Sequence, residues 1–134
     1  MTTGRMNAGS AIADDATGNY AYVDMSMIDL DNNGDPYYTP LCSKPDSIVA
    51  WVKFKQGTAN AEHPYATISA IITDGTRYQD PEATTYTNVV AKAKNNEIAT
   101  TGGEWKRISI PFEYTQNSVD PKTILVTIST NADA

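Results

Sequence analysis

Two stretches of the chain alternate apolar and polar residues with a period of two. In residues 47–55, Ile48, Ala50, Val52 and Phe54 share one face, while Val49, Trp51, Lys53 and Lys55 share the other. After the pair Gly102-Gly103, residues 103–112 do the same, with Lys106, Ile108, Ile110 and Phe112 opposite Trp105, Arg107 and Ser109. Successive side chains of a strand point to opposite faces, so this period predicts half-buried antiparallel strands. Residues 19–27 repeat the pattern with Tyr20, Tyr22 and Asp24 against Ala21, Val23 and Met25. Residues 65–73 set Ile68, Ala70 and Ile72 against Ser69 and Ile71, and residues 123–130 set Ile124, Val126 and Ile128 against Leu125, Thr127 and Ser129. No window repeats apolar residues at helical spacing behind a capping residue, so helices are not expected.

The segments between these strands read as connections. Residues 28–46 contain Asn33-Gly34, Pro36, Pro40 and Pro45, which predicts a long surface crossing. Residues 57–64 form a polar loop, Asp74-Gly75 a turn, and residues 77–87 a loop with a short strand entering at Tyr78. Residues 88–93 fit a strand or one helical turn, closed by Asn95-Asn96 before a short run at 97–100. About seven or eight short strands without repeats predict an all-β antiparallel β-sandwich of jelly-roll type.

Composition narrows the partners. The 134 residues suit one domain, 1–134, and ten Lys and Arg against 16 Asp and Glu leave a formal charge of -6. Such a charge repels nucleic acid phosphates and anionic lipid, so neither partner is expected. Cys42 is a lone cysteine and cannot form an internal disulfide, and no apolar run is long enough to span a membrane.

Several residues could carry chemistry. Asp29, Asp31, Asn33 and Asp35 place oxygen ligands at alternate positions around Gly34, as a calcium loop does, but position twelve is Pro40 rather than a bidentate Glu. A solvated turn is therefore favoured over calcium, and no other cofactor is implied. Trp51 shares its face with Lys53 and Lys55, which makes it either a sugar-stacking platform or a residue packed beneath the 28–46 connection. Trp105 reads as a rim residue closing one end of the sandwich. Tyr37, Tyr38, Tyr65, Arg77, Tyr78, Asp80 and Glu82 sit in or beside loops and form the best remaining ligand-site group. Catalysis by a carboxylate pair would draw on Asp74, Asp80, Glu82 or Glu97, although nothing in their spacing marks a shared cleft. His63, the only histidine, lies between Glu62 and Pro64 in a loop, with no nucleophile elbow to serve.

Residues 44–55 (KPDSIVAWVKFK), 70–75 (AIITDG) and 102–112 (GGEWKRISIPF) resemble the family called "putative carbohydrate metabolism domain" of Bacteroidetes surface and secreted proteins. The resemblance runs from Gly4-Arg5-Met6 to Ile128-Ser129-Thr130. It implies a jelly roll similar to carbohydrate-binding modules, forming one segment of a longer exported protein at the cell surface, outside the cell or in the periplasm. It brings no catalytic residues. Such jelly rolls finish on a strand patterned D-x-[ILV]-x-[ILV]-D-D, whereas this chain reads Asn131-Ala132-Asp133-Ala134, so an open sheet edge able to contact another chain is expected. Together these readings predict a non-catalytic module that binds or presents carbohydrate. A glycoside hydrolase is the first alternative and a structural or adhesive surface domain the second.

Overall fold

The computed structural model describes residues 5–7, 10–13, 21–25, 30–35, 38–57, 64–80 and 85–130. Every regular element among them is a strand: β1 (Arg5–Asn7), β2 (Ser10–Ala13), β3 (Ala21–Met25), β4 (Thr39–Pro40), β5 (Ser47–Val52), β6 (Ala66–Thr73), β7 (Tyr78–Asp80), β8 (Val89–Ile98), β9 (Lys106–Pro111), β10 (Glu113–Tyr114) and β11 (Thr123–Ser129). All of their pairings are antiparallel. The largest sheet runs β1-β11-β6-β8-β10 with β4 also on β11, beside a β5-β9 pair and a β2-β3-β7 sheet. Along the chain β4 lies in the large sheet, β5 in the small pair, β6 and β8 in the large sheet, β9 in the small pair and β11 in the large sheet. This alternation, β4-β11-β6-β8 facing β5-β9, is the strand order of a jelly-roll β-sandwich.

The alternation read from the sequence explains what fills the space between the two layers. Ile68, Ala70 and Ile72 of β6 and Ala91 and Ala93 of β8 are buried with Ile110 and Phe112. Ile48, Ala50, Val52, Phe54 and Ile108 pack onto them from the β5-β9 side, and Ile124, Val126 and Ile128 from β11. The opposite face of the large sheet is covered as well. There Ile71, Val89 and Leu125 pack with Tyr78, and Tyr38 and Tyr86 lean on them. Central strands buried on both faces lose the polar half of their pattern, which is why β6 carries the adjacent pair Ile71-Ile72.

Three expectations change. Residues 88–100 do not break at Asn95-Asn96, because β8 runs unbroken from Val89 to Ile98. Pairing steps from Ile68↔Asn95 to Ala66↔Ile98, so β8 carries one extra residue in a bulge, and the Asn95 side-chain oxygen accepts the Glu97 amide at 3.0 Å. Asparagine's local backbone bonding, read as a stop, bends the strand instead. The 28–46 connection is not wholly a surface crossing: Thr39 and Pro40 pair with Ile124 and Thr123, and Leu41 packs on the core while its amide donates to the Lys122 carbonyl at 2.8 Å. Finally, β11 is not itself an edge, being bounded by β6 on one side and by β1 and β4 on the other; the sheet's edges are β1 and the two-residue β10.

Candidate functional site

The β5-β9 pair has one face in the core and one in water. Ile48↔Ile110, Ala50↔Ile108 and Val52↔Lys106 alternate with the outward pairs Val49↔Ser109 and Trp51↔Arg107. Past the last pair, Val52↔Lys106, Phe54 bonds to Thr101, and Lys53 and Trp105 flank this end of the pair. Trp51 and Trp105 are each 63% exposed and Val49 45%, with Lys53, Lys55, Arg107 and Ser109 also exposed around them. Trp51 faces Arg107 and Trp105 lies two residues before Arg107, so both indoles stand at the same end of the pair. Indoles and cations are thus interspersed on this face. Single exposed apolar residues are ordinary, but two exposed indoles on one strand pair make this face a candidate contact surface.

The local sequence holds this face in place. Phe54 packs inward and anchors the segment after β5. The Thr101 amide donates to the Phe54 carbonyl at 2.9 Å, and the Phe54 amide donates to the Thr101 hydroxyl oxygen at 3.2 Å. The Gln56 amide donates to the Thr100 hydroxyl oxygen at 3.2 Å. Residues 101–104 then turn sharply, with the Glu104 amide donating to the Thr101 carbonyl at 3.3 Å. Gly102 and Gly103 sit at φ 68° and 91°, backbone angles that glycine adopts at little cost and that pair up in a type I′ turn. This turn delivers Trp105 to the position just before β9.

Charge is segregated on the same elements. Residues 47–57 and 104–111 carry four cations, Lys53, Lys55, Lys106 and Arg107, and one carboxylate, Glu104, whereas the rest of the chain holds six cations and fifteen carboxylates. The pair is therefore locally positive on an acidic protein. Lys53, Lys55 and Arg107 have no carboxylate partner among the described residues.

The other candidates fall elsewhere. Trp51 stands in the open, not under the 28–46 connection. Trp105, expected at a rim, shares its face and is equally exposed. Tyr65 and Arg77 flank opposite ends of the eight-residue β6, roughly 25 Å apart, and cannot serve one small ligand. Tyr78 is 1% exposed, with its ring centroid 4.9 Å from that of Tyr86, so it is core and leaves the ligand-site group. Tyr38 is half-buried against the same cluster and leaves it too. Asp80 is placed by its backbone in β7 opposite Val23. Tyr37, Glu82, Asp29 and His63 lie outside the described residues.

No carboxylate pair assembles from Asp74 and Glu97. One Asp74 oxygen accepts the Thr76 amide at 2.9 Å and the Thr76 hydroxyl at 2.6 Å, which closes the β6-β7 turn on itself. The Asp74 amide bonds the Asn88 carbonyl at 3.1 Å, and Glu97 follows nine residues later along β8. That run is roughly 30 Å of strand, several times the separation that glycoside cleavage requires.

In the 31–35 turn, one Asp31 oxygen accepts the Asn33 amide at 2.8 Å and the Asp35 amide at 2.9 Å. Those donors, the Asp35 amide first, hold the Asp31 carboxyl below its ordinary range. Among the described residues no group of three or more His, Cys, Asp or Glu is placed to hold a metal ion. No helix among them is long and apolar enough to cross a membrane.

No protein-family model and no curated protein matches the chain. A crystal structure from Bacteroides thetaiotaomicron described as a "putative glycoside hydrolase" is similar, with a TM-score of 0.59 and 15% identity over 92% of this chain and 50% of that one. The fold is shared. This chain spans half the length of that protein.

Proposed function

We propose that this chain is a non-catalytic carbohydrate-binding module of an exported bacterial protein, with the outward face of β5 and β9 as its binding surface. The observation that carries the reading is the pair of equally exposed indoles, Trp51 and Trp105, on one flat face. Sugar rings present C–H groups to aromatic faces, and a flat strand pair with two indoles offers such stacking without a cleft. Arg107, Lys53 and Ser109 supply hydrogen-bond donors at the edge of the rings. The similarity to the Bacteroides protein described as a "putative glycoside hydrolase" and the resemblance to a carbohydrate metabolism domain support the same chemical class. Shallow wet faces bind weakly, so affinities in the micromolar to millimolar range are expected.

The test is a glycan-array screen of the domain with and without EDTA, followed by calorimetry on each hit for the wild type, Trp51→Ala and Trp105→Ala. Binding that falls more than tenfold in both variants, with little change in Tm, supports the module. Binding unaffected by either substitution overturns the β5-β9 assignment. The neighbour's description also favours a second reading, glycoside hydrolysis, for which product analysis on each bound polysaccharide is decisive. Silence on all glycans favours the structural or adhesive role.

A further inference from the structure

Building on the binding-face reading, we infer that the β5-β9 surface selects acidic polysaccharides, whose sugar rings carry carboxylate or sulfate groups, over neutral ones. Arg107 lies directly across from Trp51 and two residues from Trp105 along the chain, and Lys53 lies two residues from Trp51, so each indole has a cation near it. A pyranose stacked on either indole has its ring substituents directed toward that cation. Lys55 extends the positive row along β5. Glu104, beside Trp105, is the only carboxylate of the two segments, and fifteen of the sixteen acidic residues lie elsewhere in the chain.

This arrangement is unusual for a neutral ligand. A neutral sugar needs both donors and acceptors around its ring, commonly Asp, Asn and Gln beside the aromatic, and this face presents cationic donors instead. Because Lys53, Lys55 and Arg107 have no carboxylate partner among the described residues, an incoming anion breaks no ion pair in order to bind. Guanidinium at 107 matches the planar fork of a carboxylate or two sulfate oxygens, whereas the lysines act as point charges. The chain's overall charge of -6 opposes a polyanion, so the attraction is confined to this face and fixes the orientation of approach.

The experiment uses matched backbones: polygalacturonate against its fully methyl-esterified form, and dextran sulfate against dextran, with polyacrylate as a polyanion lacking sugar rings. Affinities are measured by calorimetry at about 20 mM and 300 mM salt. The expected result is at least tenfold tighter binding of the acidic member of a pair at low salt, a ratio that shrinks as salt screens the charges. Arg107→Gln and Lys53→Gln each lower that ratio, and Trp51→Ala weakens the acidic member. Equal affinity within both pairs overturns the inference while leaving the carbohydrate-binding reading standing. Binding to neither member of either pair, or to polyacrylate as tightly as to the acidic polysaccharides, overturns the inference; an empty glycan array in addition removes the binding-face reading beneath it.

Discussion

Tyr78 and Trp51 are both aromatic residues that the sequence offers as ligand contacts, and truncating each to alanine separates core from platform by a predictable ratio. Tyr78 is 1% exposed, so its burial removes roughly 200 Å² from water, or about 5 kcal/mol at about 25 cal/mol per Å², an upper bound because unfolded chains are already partly compact. Aromatic-to-alanine changes in cores cost about 3–5 kcal/mol, and Tyr78→Ala belongs in that range. Trp51 keeps 63% of its surface in water, leaving roughly 90 Å² to lose and at most about 2 kcal/mol, with about 1 expected. Urea unfolding followed by fluorescence and circular dichroism reads both. With a slope of about 1–3 kcal/mol/M, Tyr78→Ala moves the midpoint down by more than about 1 M, and Trp51→Ala, at its expected cost, by about a third of that. Tyr78→Phe keeps the ring and loses roughly 1 kcal/mol, which supplies a folded comparison if the alanine variant does not fold. Equal midpoint shifts for Trp51→Ala and Tyr78→Ala would refute the division of the two residues between surface and core.

Tyr114 donates its phenol to the Pro45 carbonyl at 2.8 Å, and Tyr114→Phe is expected to cost about 1 kcal/mol in the same unfolding assay. Burial first and the Asp46 charge second raise the Tyr114 pKa above its ordinary value of 10.0, so the stability it contributes is fully present below that value and is lost as pH rises through the folded one. Absorbance at 295 nm of wild type against the Phe variant checks this, and a midpoint at or below the ordinary value contradicts it. The Asp31 carboxyl, held down by the Asp35 and Asn33 amides, titrates by NMR below its ordinary 3.8; its stabilising effect is present above 3.8 and disappears as pH falls through the folded value. A midpoint above 3.8 would remove the turn's account of that residue. Gly103→Ala meets no atom within 4 Å of the new Cβ, so its cost is the φ of 91° alone, about 1–2 kcal/mol, and it displaces Trp105. Wild-type stability together with wild-type glycan affinity in that variant would show that the turn does not position the indole.

Four of the five longest strands, β5, β6, β9 and β11, were legible because each sets an alternating apolar row between the two layers, and the sets Ile48-Ala50-Val52, Ile68-Ala70-Ile72, Ile108-Ile110-Phe112 and Ile124-Val126-Ile128 announce that face. The two-residue strands β4 and β10 are too short to show a period, and their pairing is decided by the strand beside them. The bulge of β8 was hidden because asparagine bonds its own backbone in turns and in bulges alike. Trp51 was legible as solvent-facing from its lysine neighbours. The place of Trp105 beside it was not, because its company on that face depends on how β9 pairs with β5, and register is a property of two strands together. Tyr78 and Tyr38 look like loop aromatics until the far face of the large sheet is seen to need a cover.

The position of β11 bears on how the polypeptide acquires its shape as it is made. Thr73 finds Thr123 fifty positions later, and Arg5 finds Ser129 across almost the whole chain. A ribosome releases β1, β4 and β6 well before their common neighbour, so the edges that pair with β11 stay unsatisfied until residues 123–129 emerge. Closing such long loops is slow, and nothing in the first 122 residues can complete the sheet. The large sheet therefore closes only once β11 is available, and its earlier strands stay open to chaperones until then.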